Sequence, residues 1–570
     1  MDRNPYLVNK AFRSYLLATV MSTMAVSFGS MLGSIVVGQV LGSDALGAVN
    51  VMMPIIQMLA AINALVNIGG ATVMAVCIGR GRATEIHGIF TKCMVMSLTV
   101  SLTIAALGVL FIDPIMDVLC TTDALRADAR EYGLLVFAMS PLYILMPGLG
   151  TFVRMDNAPK LATYGFLTSN IVNILLAYVF MGPMDMGLPG FALSTAIGYI
   201  AGAAVLATHF RRDSRLGFGK GTVRTSEILS MGSPAAFAMM LIMVNMLGMN
   251  LIVMNNMGSE GMAIRSVCLN IQMLSSIFVS GISQTLQPVG GTLYGSEDMT
   301  GMRMVTSIAA RYQIAASGTI MVIALLVPQL FLTVYGVTDP STVEEGIHCI
   351  RLFAPFIILQ ALNYMVMILF QVFGHRPASL AVSAIECGAV LAFAYTLVGY
   401  STDYIWTSFW MGELLASLII VTASLLIRHI RPEFSGLALL KRPEGLTYDT
   451  SSNGDGSDLP TTLDSIESFL STNGVPDEIC VRARLCCEEI MLNVIEHGIS
   501  GDPDRFMDVL VRIVDDRVLI TIRDDGGPFD PIAYDSDGVG LMIVKGQCSS
   551  LNYARSVNQN NVFLGFPMTN

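Results

Sequence analysis

The chain has 570 residues, 53% of them hydrophobic and only 13% charged, about half the charged share of an ordinary soluble domain, so most of it cannot be solvated on its outside. The net charge of −11 is unevenly placed: residues 459–570 hold 8 basic and 17 acidic side chains, and the first 458 residues are left with a net of only −2. No basic stripe points to a nucleic-acid partner. The ten cysteines form no CxxC pair, which argues against a disulfide scaffold.

The first residues, Met1-Asp2-Arg3-Asn4-Pro5, lack a cleavable signal pattern, so the first apolar run is expected to stay as a span. Crossing the hydrocarbon takes about 20 apolar residues. Windows of that length start near residues 14, 46, 93, 133, 161, 189, 230, 263, 312, 350, 378 and 405. Only helices satisfy their own backbone in lipid. The predicted fold is therefore an all-α polytopic body of about 12 transmembrane helices. Basic residues cluster at alternate ends: Arg3, Lys10 and Arg13; Arg80, Arg82 and Lys92; Arg154 and Lys160; Arg211, Arg212, Arg215, Lys220 and Arg224; Arg303 and Arg311; Arg376; then Arg428, Arg431, Lys441 and Arg442. The positive-inside rule puts these ends, and both termini, in the cytoplasm. Arg126, Arg130, Arg265 and Arg351 are the exceptions.

The chain also repeats itself. Gly42-Ser43-Asp44 is answered by Gly258-Ser259-Glu260, and Thr122-Asp123 by Thr338-Asp339, each 216 residues on. Asn157-Ala158-Pro159-Lys160 is answered more loosely by His375-Arg376-Pro377-Ala378, with the prolines 218 apart. Two six-helix lobes are predicted, 1–225 and 226–440, in parallel orientation about an axis along the membrane normal. Two lobes around a central cavity are how alternating-access transporters are built.

Carboxylates inside spans are rare and default to function. Glu386 falls in span eleven and Glu413 in span twelve, both candidates for coupling or for pairing with a cationic substrate. Asn173, Asn245, Asn250 and Gln272 are polar companions for which helix–helix hydrogen bonding is the plainer reading. The 38 methionines suit a promiscuous apolar surface, although packing accounts for most of them.

Residues 441–458, rich in Gly, Ser and Asp, read as a linker to a last domain at 459–570. Within that domain 479–497 reads as an amphipathic helix with Glu489, Asn493 and His497 on one face. Residues 506–514 and 517–523 alternate as a hairpin around Asp515-Asp516. A turn, Asp524-Asp525-Gly526-Gly527-Pro528-Phe529-Asp530-Pro531, closes the second strand, and Gly538-Val539-Gly540-Leu541 opens a helical run. A carboxylate and an Asn one turn apart can hold a phosphate-side group and Mg²⁺. An Asp after a strand, with Gly allowing close approach, can accept from an adenine amino group. A Gly-x-Gly at a helix start offers N–H groups and dipole to phosphates.

Two resemblances follow. Val37-Gly38-Gln39-Val40-Leu41-Gly42 with Asp44-Ala45-Leu46-Gly47, Phe152-Val153-Arg154-Met155-Asp156-Asn157-Ala158-Pro159-Lys160, the Gly187–Thr195 stretch and Gly232-Ser233-Pro234 resemble the multidrug and toxic compound extrusion (MATE) family over about residues 10–430. That family often carries an Asp in span one, at the position held here by Gly33, so its N-lobe cation site is not carried over. The tail resembles histidine-kinase-like ATPases, with the short lid and Asp-x-Gly-x-Pro-Phe-Asp-Pro form of anti-sigma-factor serine kinases. This implies a C-terminal α/β sandwich binding ATP and Mg²⁺. Asn493 would ligate Mg²⁺, Asp524 would hold adenine, Gly526, Gly538 and Gly540 would line the nucleotide, and Glu489 would be general base toward a protein serine. Asp537 departs from the pattern.

The function these resemblances imply is a secondary antiporter in a bacterial inner membrane. It would export organic, expected cationic, compounds on a proton or sodium gradient, with a regulatory ATP-binding tail. The alternative is a transporter-like receptor that controls a kinase tail, which would have an anti-sigma antagonist-like protein as partner. The absence of a P-loop argues against ATP-powered transport.

Overall fold

All twelve windows are helical in the computed structural model, which describes residues 3–41, 43–82, 84–119, 123–211, 214–334, 340–499, 502–528, 530 and 539–568. Ten helices among the described residues are long and apolar enough to cross a membrane, eleven when 126–155, bent by 49°, counts as one span. Tyr6–Leu41, a helix of 36 residues, stands where the first window was placed. The spans run 47–79, 85–110, 126–155, 159–181, 187–211, 225–258, 260–295, 299–326, 340–372, 376–397 and 404–430. No polar strand interrupts them, as expected where water cannot satisfy a backbone.

The duplication reappears in the turns. The chain takes a left-handed residue after span two at Gly81 (φ 72°) and after span eight at Glu297 (φ 56°), 216 residues later. It does so again after span four at Asn157 (φ 61°) and after span ten at Gly374 (φ 76°), 217 later. Gly258 (φ 61°) breaks spans seven and eight. Its counterpart Gly42, with Thr122, Thr338 and Asp339, lies outside the described residues. Because helices alternate in direction, the turns after spans two, four, eight and ten share one face of the body.

The lobes meet close to that face. A Cβ at Gly79 would stand 2.8 Å from Gly295 Cα, and one at Gly295 2.8 Å from Gly79 Cα, so the two backbones approach as only glycines permit. Thr19 Oγ1 meets Thr285 Oγ1 at 2.7 Å, the Thr23 hydroxyl donates to Ile277 O at 2.9 Å, and Arg154 Nη1 donates to Gln284 Oε1 at 2.9 Å.

After span twelve a two-rung ladder, β1 (Phe434–Ser435) with β2 (Leu440–Lys441), leads to the tail. The tail sheet is antiparallel in the order β3-β4-β5-β7-β6, with β3 Leu446–Asn453, β4 Phe506–Val514, β5 Arg517–Asp524, β6 Ser550–Ser556 and β7 Gln559–Pro567. Helices Leu459–Thr472, Asp477–Asn493 and Val539–Gln547 cover one sheet face. There Leu463, Ile466, Cys487 and Ile490 pack on Val509, Val511, Ile520, Ile522 and Val562. This is the expected sandwich. The expected linker 441–458 is corrected: Leu446–Asn453 within it is β3, paired with β4 from Leu446↔Ile513 to Asn453↔Phe506. A polar edge strand carries little alternating hydrophobicity, which is how edges avoid unwanted pairing.

Strand alternation sends Asp508, Arg512, Arg523 and Asn561 to the opposite sheet face. That face is turned onto the membrane body. Arg523 Nη1 donates to Asp298 Oδ2 at 2.9 Å, and Arg3 bridges Asp298 (2.5 Å) and Asp508 (2.7 Å).

Candidate functional site

Two places carry chemistry, one in the second lobe and one in the tail. In the lobe, Glu413 sits on helix Tyr404–Ile430 and is 3% exposed. Asn363, on helix Phe356–Val372, donates through Nδ2 to Glu413 Oε2 at 2.8 Å and to Glu413 O at 2.9 Å. The Ser417 hydroxyl, one turn beyond Glu413, donates to Asn363 Oδ1 at 2.8 Å and fixes which way the amide points. Glu386, on helix Arg376–Leu397, lies within electrostatic reach of Glu413 and of Tyr364. Its Oε1 is buried without a hydrogen-bond partner among the described residues. Spans ten, eleven and twelve thus place two carboxylates together with no basic side chain joined to either among the described residues. Neutrality at such a place must come from outside the protein, as a proton or a cation.

Among the described residues the first lobe has no matching pair. Gly33 stands beside the Phe191 ring, 3.4 Å from where a Cβ would be. Asn173 receives the Ser194 hydroxyl at 2.9 Å, and Asn250 receives Arg265 Nε at 2.6 Å, so both serve helix–helix bonding.

In the tail, the helix carrying Glu489 and Asn493 widens at its end into a π turn, Val494–Gly498, a device frequent at functional sites. The widening lays the Gly498 backbone against Gly526: a Cβ there would stand 2.5 Å from Gly498 O, so the turn after β5 can only carry glycine. Asp524, at the end of β5, is 2% exposed. Its Oδ1 accepts from Gly526 N at 2.8 Å and Asn560 Nδ2 at 2.9 Å, while Oδ2 carries no hydrogen bond among the described residues. Burial pushes this carboxyl up to about 6, against the two hydrogen bonds that favour its charge. Gly540, in the first turn of Val539–Gln547, packs directly on the Glu489 carboxylate, and any side chain would collide with it. Asn493 Nδ2 donates to Glu489 O at 2.6 Å, which leaves its amide oxygen for a cation.

The structure therefore sets Gly540 and Asn493 against Glu489, and Asp524 with Gly526 against Gly498 at the end of the same helix. Gly538, Asp537 and the expected lid fall outside the described residues. The arrangement fits a nucleotide: a free acceptor oxygen for an exocyclic amine, and glycines where a side chain would block approach. No group of three or more metal-ligating His, Cys, Asp or Glu side chains occurs among the described residues, so Mg²⁺ would lean on Asn493 and on the nucleotide's own phosphates. His497, more than half exposed, faces Glu496 at 3.9 Å and joins none of this.

Sequence reasoning missed Asn363, Ser417, Asn560 and Arg555. Asn363 in an apolar run was a visible signal. Asn560 and Arg555 lie in strands that carry no motif. Arg555 Nη1 donates to Asn560 Oδ1 at 2.6 Å and Gly526 O at 3.0 Å, behind Asp524.

Fold and sites define a polytopic membrane body of two duplicated lobes joined to an ATPase-type sandwich. The MatE family profile matches residues 18–179 and 234–396, two copies beginning 216 residues apart and together more than half of the sequence, and the chain belongs to that family. A second profile, the histidine kinase-like ATPase domain, matches 454–566. Among curated relatives, the multidrug export protein MepA of Staphylococcus haemolyticus is 23% identical over 393 residues, 67% of this chain and 85% of that protein. The probable multidrug resistance protein YoeA of Bacillus subtilis is 24% identical over 241 residues, 40% of this chain and 52% of that protein. Among solved structures, the outward-facing conformation of a multidrug resistance MATE family transporter superposes with a TM-score of 0.69 at 17% identity, over 74% of this chain and 96% of that one. A MOP superfamily transporter from Pyrococcus furiosus gives 0.68 at 18%, over 72% and 93%. At these identities the structures speak for the fold.

Proposed function

We propose that the chain is a secondary active efflux antiporter for organic cations, driven by a proton or sodium gradient. It lies in a bacterial inner membrane with both termini cytoplasmic, and its tail binds ATP with Mg²⁺ as a regulatory domain. The observation that carries this reading is the buried pair Glu386 and Glu413, the latter held by Asn363, with no basic side chain joined to either among the described residues. With one of the two carboxyls protonated, such a site is neutral when the other holds a proton, a sodium ion or a cationic substrate, and exchange between these is antiport. The names of the curated relatives, export and resistance proteins, agree with the direction of transport. The basic turns Arg80–Arg82 and Arg154–Lys160, on the same face as the tail, agree with a cytoplasmic tail.

In the tail, Asp524 would accept from the adenine amino group and Gly526 and Gly540 would admit the nucleotide. Bound Mg²⁺ would neutralise phosphate charge. Glu489, packed beneath Gly540, would hold or take a proton at the phosphate end. Gly33, in place of the family's span-one Asp, favours a second reading: a transporter-like receptor whose tail acts on an anti-sigma antagonist-like protein. Efflux of a cationic dye from cells expressing the wild type and Glu386→Gln separates the two. Loss of efflux in the variant supports transport; no efflux from any form across several dyes supports the receptor.

A further inference from the structure

The tail is not tethered loosely. It is seated on the face where both lobes present their equivalent turns. On the first lobe, Asn157 uses its side chain as a two-pronged clasp on the β6–β7 turn: Oδ1 accepts from Asn558 N at 3.0 Å and Nδ2 donates to Arg555 O at 2.8 Å. Phe563 of β7 lies against Gly81, with its ring 3.2 Å from where a Cβ would stand. Span one contributes Tyr6 and Lys10, both bonded to Asp525, and Leu7 O, which accepts from Gln559 Nε2 at 2.8 Å.

On the second lobe, the turn after span eight meets the sheet. Asp298 and Ser296 hold Arg523, Arg512 Nη2 reaches Glu297 Oε2 at 2.5 Å, and Thr292 Oγ1 meets Ser556 Oγ at 2.8 Å. The fourth equivalent turn receives the connector, with His375 Nε2 at 2.7 Å from Leu439 O. Arg3, buried to 6% exposure, ties span one to both Asp298 and Asp508. All four turns of the duplicated body are therefore engaged from one side by one domain or its connector.

We propose that the tail is a two-lobe clamp: docked, it holds the lobes shut on its own face, and transport requires it to release at least one of them. This inference rests on the transport reading above and names how the tail would regulate it. Alternating access separates the lobes on each face in turn. On this face they are in contact through Gly79 and Gly295 and through Thr19 and Thr285. They cannot part while Asn157 is bonded to the β6–β7 hairpin and Asp298 to β5 of the same sheet. The nucleotide cleft is wired into the clamp: Asp524 bonds Asn560, Asn560 bonds Arg555, and the Arg555 carbonyl is the one Asn157 grips. The neighbouring Asp525 holds Lys10 and Tyr6. Filling the cleft therefore acts on the same bonds that hold the first lobe.

Two measurements on the full chain decide this. In the first, spin labels at Lys160→Cys and Arg303→Cys, exposed positions one on each lobe beside the clamped turns, report lobe separation, with Cys120 and Cys548 replaced by Ser. The clamp predicts one short distance in the parent and an added longer population in Arg512→Glu/Arg523→Glu, which sets like charges against Glu297 and Asp298. An unchanged distribution in a variant whose tail is shown undocked by hydrogen exchange overturns the clamp.

In the second, Asn157→Cys/Asn558→Cys and Glu297→Cys/Arg512→Cys are joined by a short bis-maleimide, singly and together, in the same background. Dye efflux should survive either bridge alone and fall at least tenfold with both. Full efflux from the doubly bridged protein overturns the clamp even if the charge variant fails to fold. If unbridged protein exports no dye, the transport reading fails, and the label distances still decide the clamp.

Discussion

Asp298→Asn tests the docking of the tail at its most buried point. Asp298 is 1% exposed and receives Arg3 and Arg523 from either side, while its Oδ1 also caps the helix of span nine through Gly301 N at 2.7 Å. Asparagine caps a helix about as well as aspartate, so the substitution removes the charge and spares the cap. Taking one partner out of a buried ion pair costs about 3–5 kcal/mol, because the cations left behind remain buried. At about 1.4 kcal/mol per tenfold, the docked state should lose a factor of roughly 10² to several times 10³. Hydrogen exchange of peptides covering 295–300 and 555–559 reads this loss directly, because the Asn558 amide is protected by Asn157 only while docked. Exchange faster by at least a hundredfold in both peptides, with the sheet core at 518–523 unchanged, is the expected result. Exchange within twofold of the parent would refute the buried-pair reasoning.

Other predictions follow from the same contacts. Asp524 would accept the adenine amino group only as its carboxylate, and burial pushes its carboxyl up to about 6. Calorimetric affinity of the full chain for a non-hydrolysable ATP analogue should climb as pH rises through 6 and level above about 7. The tail's stability runs the other way. The folded domain keeps a proton the unfolded chain has lost between about pH 4 and 6, so unfolding free energy falls as pH rises across that window; affinity flat from pH 5 to 8 would count against both. Asn157→Gly keeps the left-handed turn and deletes the clasp; by reciprocity, the factor by which undocking changes analogue affinity must equal the factor by which the analogue shifts docking. Equal affinity with undocked tail would show cleft and clamp to be independent. Gly79→Ala places a methyl against Gly295 and should cost about 1–3 kcal/mol of the closed body, read as a lower Tm in detergent. Asn363→Leu removes the donor that holds Glu413 and should cut efflux several-fold without lowering expression.

Much of the body was legible because lipid leaves one solution. Twelve apolar runs became helices in register with their windows, and the 216-residue spacing reappears in the left-handed turns Gly81 and Glu297. In the tail, Glu489, Asn493 and Gly540 fall into contact as their spacing-dependent chemistry predicts. The rest was hidden for physical reasons. Strand β3 is a polar edge with no alternation to read. The β6–β7 hairpin turns at Val557 (φ 49°) and Asn558 (φ 61°), without the glycine that usually announces such a turn. The docking of the tail joins residues such as Arg3 and Asp508, 505 apart in sequence, and a single chain read in order holds no trace of that pairing. Asn363 was overlooked because its meaning lies in Glu413, fifty residues on.

In the proposed transport cycle Glu386 and Glu413 exchange a gradient-driven cation for an organic one. Purified full-length protein in sealed liposomes, loaded with a fluorescent cationic dye, tests it under an imposed proton gradient, an imposed sodium gradient or neither, for wild type and Glu386→Gln/Glu413→Gln. Dye should move with one of the two gradients, not move without one, and move at least tenfold more slowly in the double variant. Transport that ignores both gradients, or that survives the loss of both carboxylates, would contradict it.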